Sequence, residues 1–212
     1  IKEMTYHEVR ELAAVGFSVF HEEAISPVRI AGIPIQVKNT NKPEDEGTSI
    51  VPERETKETP IVGVTAKSGY CTISVHKMLL FKRLSVRAHM EQTLRTLGIV
   101  PEFCFSGIDS MVWVFPISQV SDGLIGTVAP LLKEEFSLDD AVCETGFAVV
   151  GITGQGIASE PRLGTTLWPS LEKNHIQTEF ICYGASPITC LIGIREQYIQ
   201  QAIETIYDAI IR

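Results

Sequence analysis

Phe147-Ala148-Val149-Val150-Gly151-Ile152-Thr153-Gly154-Gln155-Gly156-Ile157 is an apolar run that breaks off at a Gly-x-Gly pair. A short apolar run stopped by glycine fits a buried strand that opens into a tight loop. Downstream of it, Leu163, Thr166, Leu167, Ser170 and Leu171 recur at helical spacing, and Ile176 to Cys182 and Ile188 to Ile194 read as strands. Ile199, Ala202, Ile203, Ile206 and Ile210 stripe a final helix. The order from Phe147 onward is strand, helix, strand, strand, helix.

The same order precedes it. Cys71 to Val75 is a strand; Val86, Met90, Leu94 and Leu97 mark a helix stopped by Gly98; Ile99 to Phe105 and Ser110 to Phe115 are strands. Leu124, Ile125, Val128 and Leu132 then stripe a helix over about Asp122 to Glu135. Two copies of a unit of roughly 70 residues imply an internally repeated architecture. Each copy matches a ferredoxin-like β-α-β-β-α-β sandwich short of one strand. Ile61 to Ala66 is the spare strand: the pattern predicts a hairpin to Cys71 through Lys67-Ser68-Gly69-Tyr70, and either copy could own it. The strands Ile99 to Phe105 and Ser110 to Phe115 are expected at exposed sheet edges.

The first 51 residues differ in character. Thr5-Tyr6-His7-Glu8 has the capping-box pattern, and Val9, Leu12 and Ala13 continue a helix from about Tyr6 to Val15 that ends at Gly16. Phe17 to Phe20 and Pro34 to Val37 read as short strands separated by an irregular segment with Pro27 and Gly32. The charged, proline-bracketed stretch from Val51 to Pro60 reads as a linker. The expected division is 1–51, a linker over 52–60, and modules over 61–140 and 141–212.

Composition limits the chemistry. With 44% hydrophobic and 21% charged residues the chain is in the globular range, and its net charge of −8 opposes a nucleic-acid surface, which needs concentrated Lys and Arg. No apolar run nears the ~20 residues of a membrane helix. The start, Ile1-Lys2-Glu3-Met4, carries no signal-peptide core, so a soluble, cytoplasmic fragment is expected. Cys71, Cys104, Cys143, Cys182 and Cys190 form no C-x-x-C pair and are expected to be reduced thiols rather than metal ligands. None of the histidines is assigned to chemistry.

Specific residues carry a resemblance. Met4-Thr5-Tyr6-His7-Glu8, Glu11-Leu12-Ala13, Gly16, Val19, His21, Ile33-Pro34-Ile35-Gln36-Val37-Lys38-Asn39-Thr40, Pro43 and Gly47-Thr48 resemble the last stretch of the aspartate kinase catalytic domain, where His21 matches a strand end. Gly146 to Ile157 is similar to the family's strand and glycine loop at the start of a second ACT module, and Ile181-Cys182-Tyr183-Gly184-Ala185-Ser186 resembles lysine-sensitive members. The resemblance implies an α+β fold of two ferredoxin-like ACT modules preceded by the end of an α/β amino-acid kinase domain. It implies a parent enzyme that phosphorylates L-aspartate to 4-phospho-L-aspartate with ATP and Mg²⁺, the first step toward lysine, threonine and methionine. The family's Lys-Phe-Gly-Gly element is absent from this sequence, so no catalytic residue and no cofactor is expected here.

The modules are then expected to bind an amino-acid effector, lysine ahead of threonine, for feedback inhibition, and to form a homodimer. An effector's carboxylate suits free N–H groups in a strand-to-helix loop, here His76 to Ser85. The resemblance implies a site of Leu80, Arg83, Ser85, Val86, Pro101, Glu102, Ser106 and Gly107, with Glu102 holding the cationic group. Ser85 stands as helix N-cap where the family has glycine, Gly107 where it has a hydroxyl, and Lys77, Lys82 and Arg83 would repel a lysine effector. A stand-alone ACT protein would explain residues 61–212 but not the first fifty. An RNA-binding ferredoxin-like module fails on charge and on missing aromatic platforms.

Overall fold

The computed structural model describes residues 1–19 and 22–211. Its strands are β1 (Glu3–Thr5), β2 (Ile35–Val37), β3 (Thr48–Val51), β4 (Gly63–His76), β5 (Phe103–Ser106), β6 (Ser110–Pro116), β7 (Asp140–Thr153), β8 (Thr178–Cys182) and β9 (Thr189–Arg195). Its helices are α1 (Tyr6–Ala14), α2 (Glu22–Ile30), α3 (Leu84–Thr96), α4 (Asp122–Glu135), α5 (Trp168–Lys173) and α6 (Ile199–Ile210). Two compact units result, Ile1–Lys67 with Ala148–Arg212, and Ser68–Phe147. The boundary falls inside β4 and β7.

The unit Ser68–Phe147 is a β-α-β-β-α-β sandwich with strand order β5-β6-β4-β7. β4 and β6 are antiparallel from Tyr70 opposite Pro116 to His76 opposite Ser110. The period of two therefore sends Cys71, Ile73 and Val75 to the same face as Met111, Trp113 and Phe115, where they meet Met90 and Leu94 of α3 and Val128 and Leu132 of α4. β6, expected at an edge, lies between β5 and β4.

The other unit repeats the plan with the end of β7, α5, β8, β9 and α6, in the order β4-β7-β9-β8. Its core joins Ala148, Val150 and Ile152 to Cys190, Ile192 and Ile194 and to Leu171, Ala202, Ile206 and Ile210 of the helices. Ile61, Val64 and Ala66 pack into this same core, so the spare strand completes the second repeat. The same unit carries a small sheet, β1-β3-β2, on which α1 closes a separate core of Met4, Tyr6, Val9, Leu12, Ile25, Ile50 and Val62.

Three further expectations fail. No turn interrupts β4: Gly69 supplies its positive φ of 78° inside the strand, so the chain runs on and the two halves serve different repeats. Residues 17–19 form no strand, Phe20 and His21 lie outside the described residues, and the segment holding Pro27 is helical. Pro27 lacks an N–H, but its carbonyl still accepts from Ala31 N at 3.1 Å, and Ile25 of the same helix is buried.

The capping box of α1 forms as read, with Glu8 N donating to Thr5 Oγ1 at 3.2 Å and Thr5 N to Glu8 Oε2 at 2.8 Å. The Glu8 carboxylate does more. It is fully buried and receives Arg54 Nη2 at 2.6 Å, Arg54 Nε at 2.8 Å and, from the loop after β7, Gln155 N at 2.8 Å. Arg54 also donates to the Thr59 carbonyl at 2.8 Å, so the charged stretch is tied down. Burial pushes the Glu8 carboxyl up, and the bonds from Arg54, Thr5 and Gln155 outweigh it, leaving it below the usual 4.5. Beside this cluster Pro60 packs on the loop: a Cβ on Gly154 would stand 2.1 Å from the Pro60 oxygen, and one on Gly156 2.6 Å from its Cα.

Arg54→Met should cost roughly 3–5 kcal/mol in urea unfolding, because it strands a buried charge. Glu8 supports the native state above the unfolded carboxyl value, and this support fades as pH falls through its lowered native value. The acid side of the stability profile should therefore flatten in Arg54→Met. Gly154→Ala should cost about 1–3 kcal/mol by overpacking. Gly164→Ala, where nothing stands within 4 Å of the added carbon, is the control and should leave the midpoint within error.

Candidate functional site

The loop between β4 and α3 is built by two acids that no sequence motif singles out. Asp109, in the turn between β5 and β6, accepts Lys77 N on its carbonyl at 2.8 Å and Leu79 N on its carboxylate at 2.7 Å. Asp139 accepts Met78 N at 2.7 Å, and Phe81 N donates to the Ile108 carbonyl at 3.0 Å. Leu80 is buried and pegs the loop to the core. These restraints hold Leu79 at a φ of 63°, a left-handed conformation that costs a β-carbon residue roughly 1–2 kcal/mol. The N–H groups of 77, 78, 79 and 81, expected to face an effector, are thus engaged by the protein itself.

What remains for a ligand is the first turn of α3 and the side chains around it. α3 begins at Leu84 with Arg83 as N-cap and no side-chain cap bond, so Ser85 lies within the first turn rather than capping it. Arg83 and Ser85 are exposed, and Val86 is half-buried against the core. Ser106 ends β5 and Gly107 follows, its N–H donating to the Ser110 carbonyl at 2.8 Å. Both are exposed. The turn carrying them is joined to the loop through Ile108 and Asp109. Leu80, Arg83, Ser85, Val86, Ser106 and Gly107 therefore belong to one end of the module.

Pro101 and Glu102 belong to the other end. Glu102 is four positions before Ser106, about 13 Å along an extended strand. Its carboxylate accepts the hydroxyl of fully buried Tyr70, whose ring lies 6.0 Å from that of Phe103. Burial, then the bond to Glu102 and its charge, push the Tyr70 phenol far above its ordinary value, so it remains a donor. Tyr70 is a site neighbour that sequence reading missed, since its partner lies 32 residues away. Among the described residues no group of three or more His, Cys, Asp or Glu could hold a metal, and no helix is long and apolar enough to cross a membrane.

The sequence is 33% identical to aspartokinase 3 of Bacillus subtilis over 210 residues, which is 98% of this chain and 46% of that protein. The fold matches the crystal structure of Clostridium acetobutylicum aspartate kinase with a TM-score of 0.87 and 30% identity, covering 99% of this chain and 48% of that one. It also matches the regulatory subunit of aspartate kinase from Thermus thermophilus, TM-score 0.57 at 18% identity, over 71% of this chain and 98% of that subunit. That last likeness is one of fold, and its partner is an aspartate kinase regulatory subunit almost entire. No protein-family model matches the chain. The chain spans about half the length of the relatives it matches. Over nearly all of its own length, this α+β chain is a homologue of the aspartokinases.

Proposed function

We propose that this chain is the regulatory half of an aspartate kinase, in which the ferredoxin-like repeats sense an amino acid and pass the result to a phosphotransferase domain. The observation that carries the reading is the pair of β-α-β-β-α-β repeats in a chain homologous to aspartokinases along 98% of its length. The parent enzyme would move the γ-phosphoryl group of ATP to the side-chain carboxylate of aspartate with Mg²⁺. Such chemistry needs phosphate-cradling backbone and metal-bridged oxygens. The sensing site is the end of the first repeat around Arg83, Ser85, Val86, Ser106 and Gly107. The effector that the resemblance implies is lysine, with threonine second. The positive side chains Lys82 and Arg83 oppose another cation there.

β5 is the outer strand of its sheet and offers an edge for side-by-side pairing of two copies. Such pairing would make a homodimer and set the sensing ends of two modules near a shared surface. The chain would be cytoplasmic.

The chain should show no aspartate-dependent ATP turnover in a coupled assay; specific turnover in a clean preparation would refute the assignment of this half as regulatory only. Light scattering should give about twice the chain mass of 23.4 kDa. Cys104→Lys, a charge on the exposed centre of β5, should shift that mass toward the monomer. A wild-type monomer at tens of micromolar would remove the edge-pairing proposal.

A further inference from the structure

The two repeats end their first helices in the same way and differ in what they place there. At the end of α3, Ile99 N donates to the Leu94 carbonyl at 2.9 Å and Gly98 N to the Arg95 carbonyl at 3.0 Å. At the end of α5, Ile176 N donates to the Leu171 carbonyl at 2.9 Å and His175 N to the Glu172 carbonyl at 2.9 Å. The bonds match Leu94 with Leu171, Ile99 with Ile176 and Gly98 with His175, and the two leucines and two isoleucines are all buried. The turn needs a positive φ, 80° at Gly98 and 56° at His175. Glycine takes that conformation freely and a residue with a Cβ does so at a cost, so the second repeat keeps an imidazole where the backbone itself favours none.

His175 borders a cleft of about 520 Å³, a volume in the range of small-molecule sites. Leu171 and Ile176 give it an apolar floor, and the half-buried Trp168 lines it one helical turn before Glu172. Gln177 and Thr178 border it where the chain enters β8. In the first repeat the positions of Trp168 and Glu172 are held by Glu91 and Arg95, so the shared helix end carries an indole and a carboxylate in one copy and an acid and a base in the other. Among the described residues that line the cleft there is one carboxylate, Glu172, and no Lys or Arg. Lys173 lies about 100° round the helix from Glu172. Arg195, on the neighbouring strand β9, is paired with Glu179 at 2.9 Å. An indole face and a carboxylate attract an organic cation, and an apolar floor suits its hydrocarbon body. A carboxylate on the ligand would meet Glu172 with no base to offset it.

We propose that this cleft binds a small organic amine that lacks a carboxylate, its ammonium held between the Trp168 ring and Glu172 and its hydrocarbon body on Leu171 and Ile176. His175 and Gln177 offer further acceptors to the ammonium N–H groups. The site lies wholly in the second repeat and is independent of amino-acid sensing at the first.

Calorimetric titration of the 212-residue chain tests it, with each amine set against the amino acid that differs from it by one carboxylate: cadaverine against lysine, phenethylamine against phenylalanine. Glu172→Gln defines the site, since counting only the binding heat that this variant removes keeps any amino acid held at the first repeat out of the comparison. At least one amine should bind there roughly ten-fold or more tighter than its amino acid, and Trp168→Leu should weaken it by a similar factor. His175→Gly, the first repeat's own choice, should weaken the amine without lowering the thermal midpoint. Binding of neither amine, amine binding unchanged in Glu172→Gln or His175→Gly, or amino acids bound as tightly as their amines would overturn the proposal and leave the sensing reading untouched.

Discussion

A carboxylate with no exposed surface, Glu8, sets the arrangement of the larger unit. An ionised carboxyl taken out of water is tolerated only when its oxygens are filled by donors, and here they are filled from three places in the chain. Thr5 supplies the local pair, Arg54 a two-pronged one, and Gln155 a backbone N–H from 147 residues away. Because each donor is needed, the start of α1, the charged stretch after β3 and the loop after β7 are located by one another. Pro60 then fits onto that loop only because Gly154 and Gly156 carry no side chain.

Much of the fold was legible because it is periodic. The helical stripes of α3, α4 and α6 and the paired strands of each repeat follow from short-range spacing, and α1 follows from Thr5 and Glu8 alone. What was illegible depends on partners distant in sequence. Gly69 marks a hairpin in any local reading, and only the competition between two cores, one taking Ile61 and Val64 and the other Cys71 and Ile73, keeps the strand running through it. Pro27 suggested a break for the same local reason, and burial of Ile25 prevailed.

The site was less legible than the fold. The loop and the helix start could be located from spacing, but the donors of the loop could not be counted without knowing that Asp109 and Asp139 face them. Arg83 to Val86 and Pro101 to Glu102 are close in the repeat's sequence yet border opposite ends of β5, a distinction that strand direction makes and composition does not. What the loop leaves over after satisfying itself is exposed apolar side chains, positive charge and a few hydroxyls.

The sharing of β4 and β7 between two units has a consequence for how the protein is made. Ser68–Phe147 is a contiguous stretch and holds every strand and helix of its own sandwich, so it can close as soon as it has left the ribosome. The other unit is discontinuous, and the first residues of β4 wait unpaired until the strand after Phe147 is synthesised. The early-closing insert shortens that wait, because once folded it replaces a long flexible loop by a compact body and reduces the entropy lost in bringing the two halves together. Synthesis order thus assigns the first repeat the part of a template on whose outgoing strand the second repeat is begun.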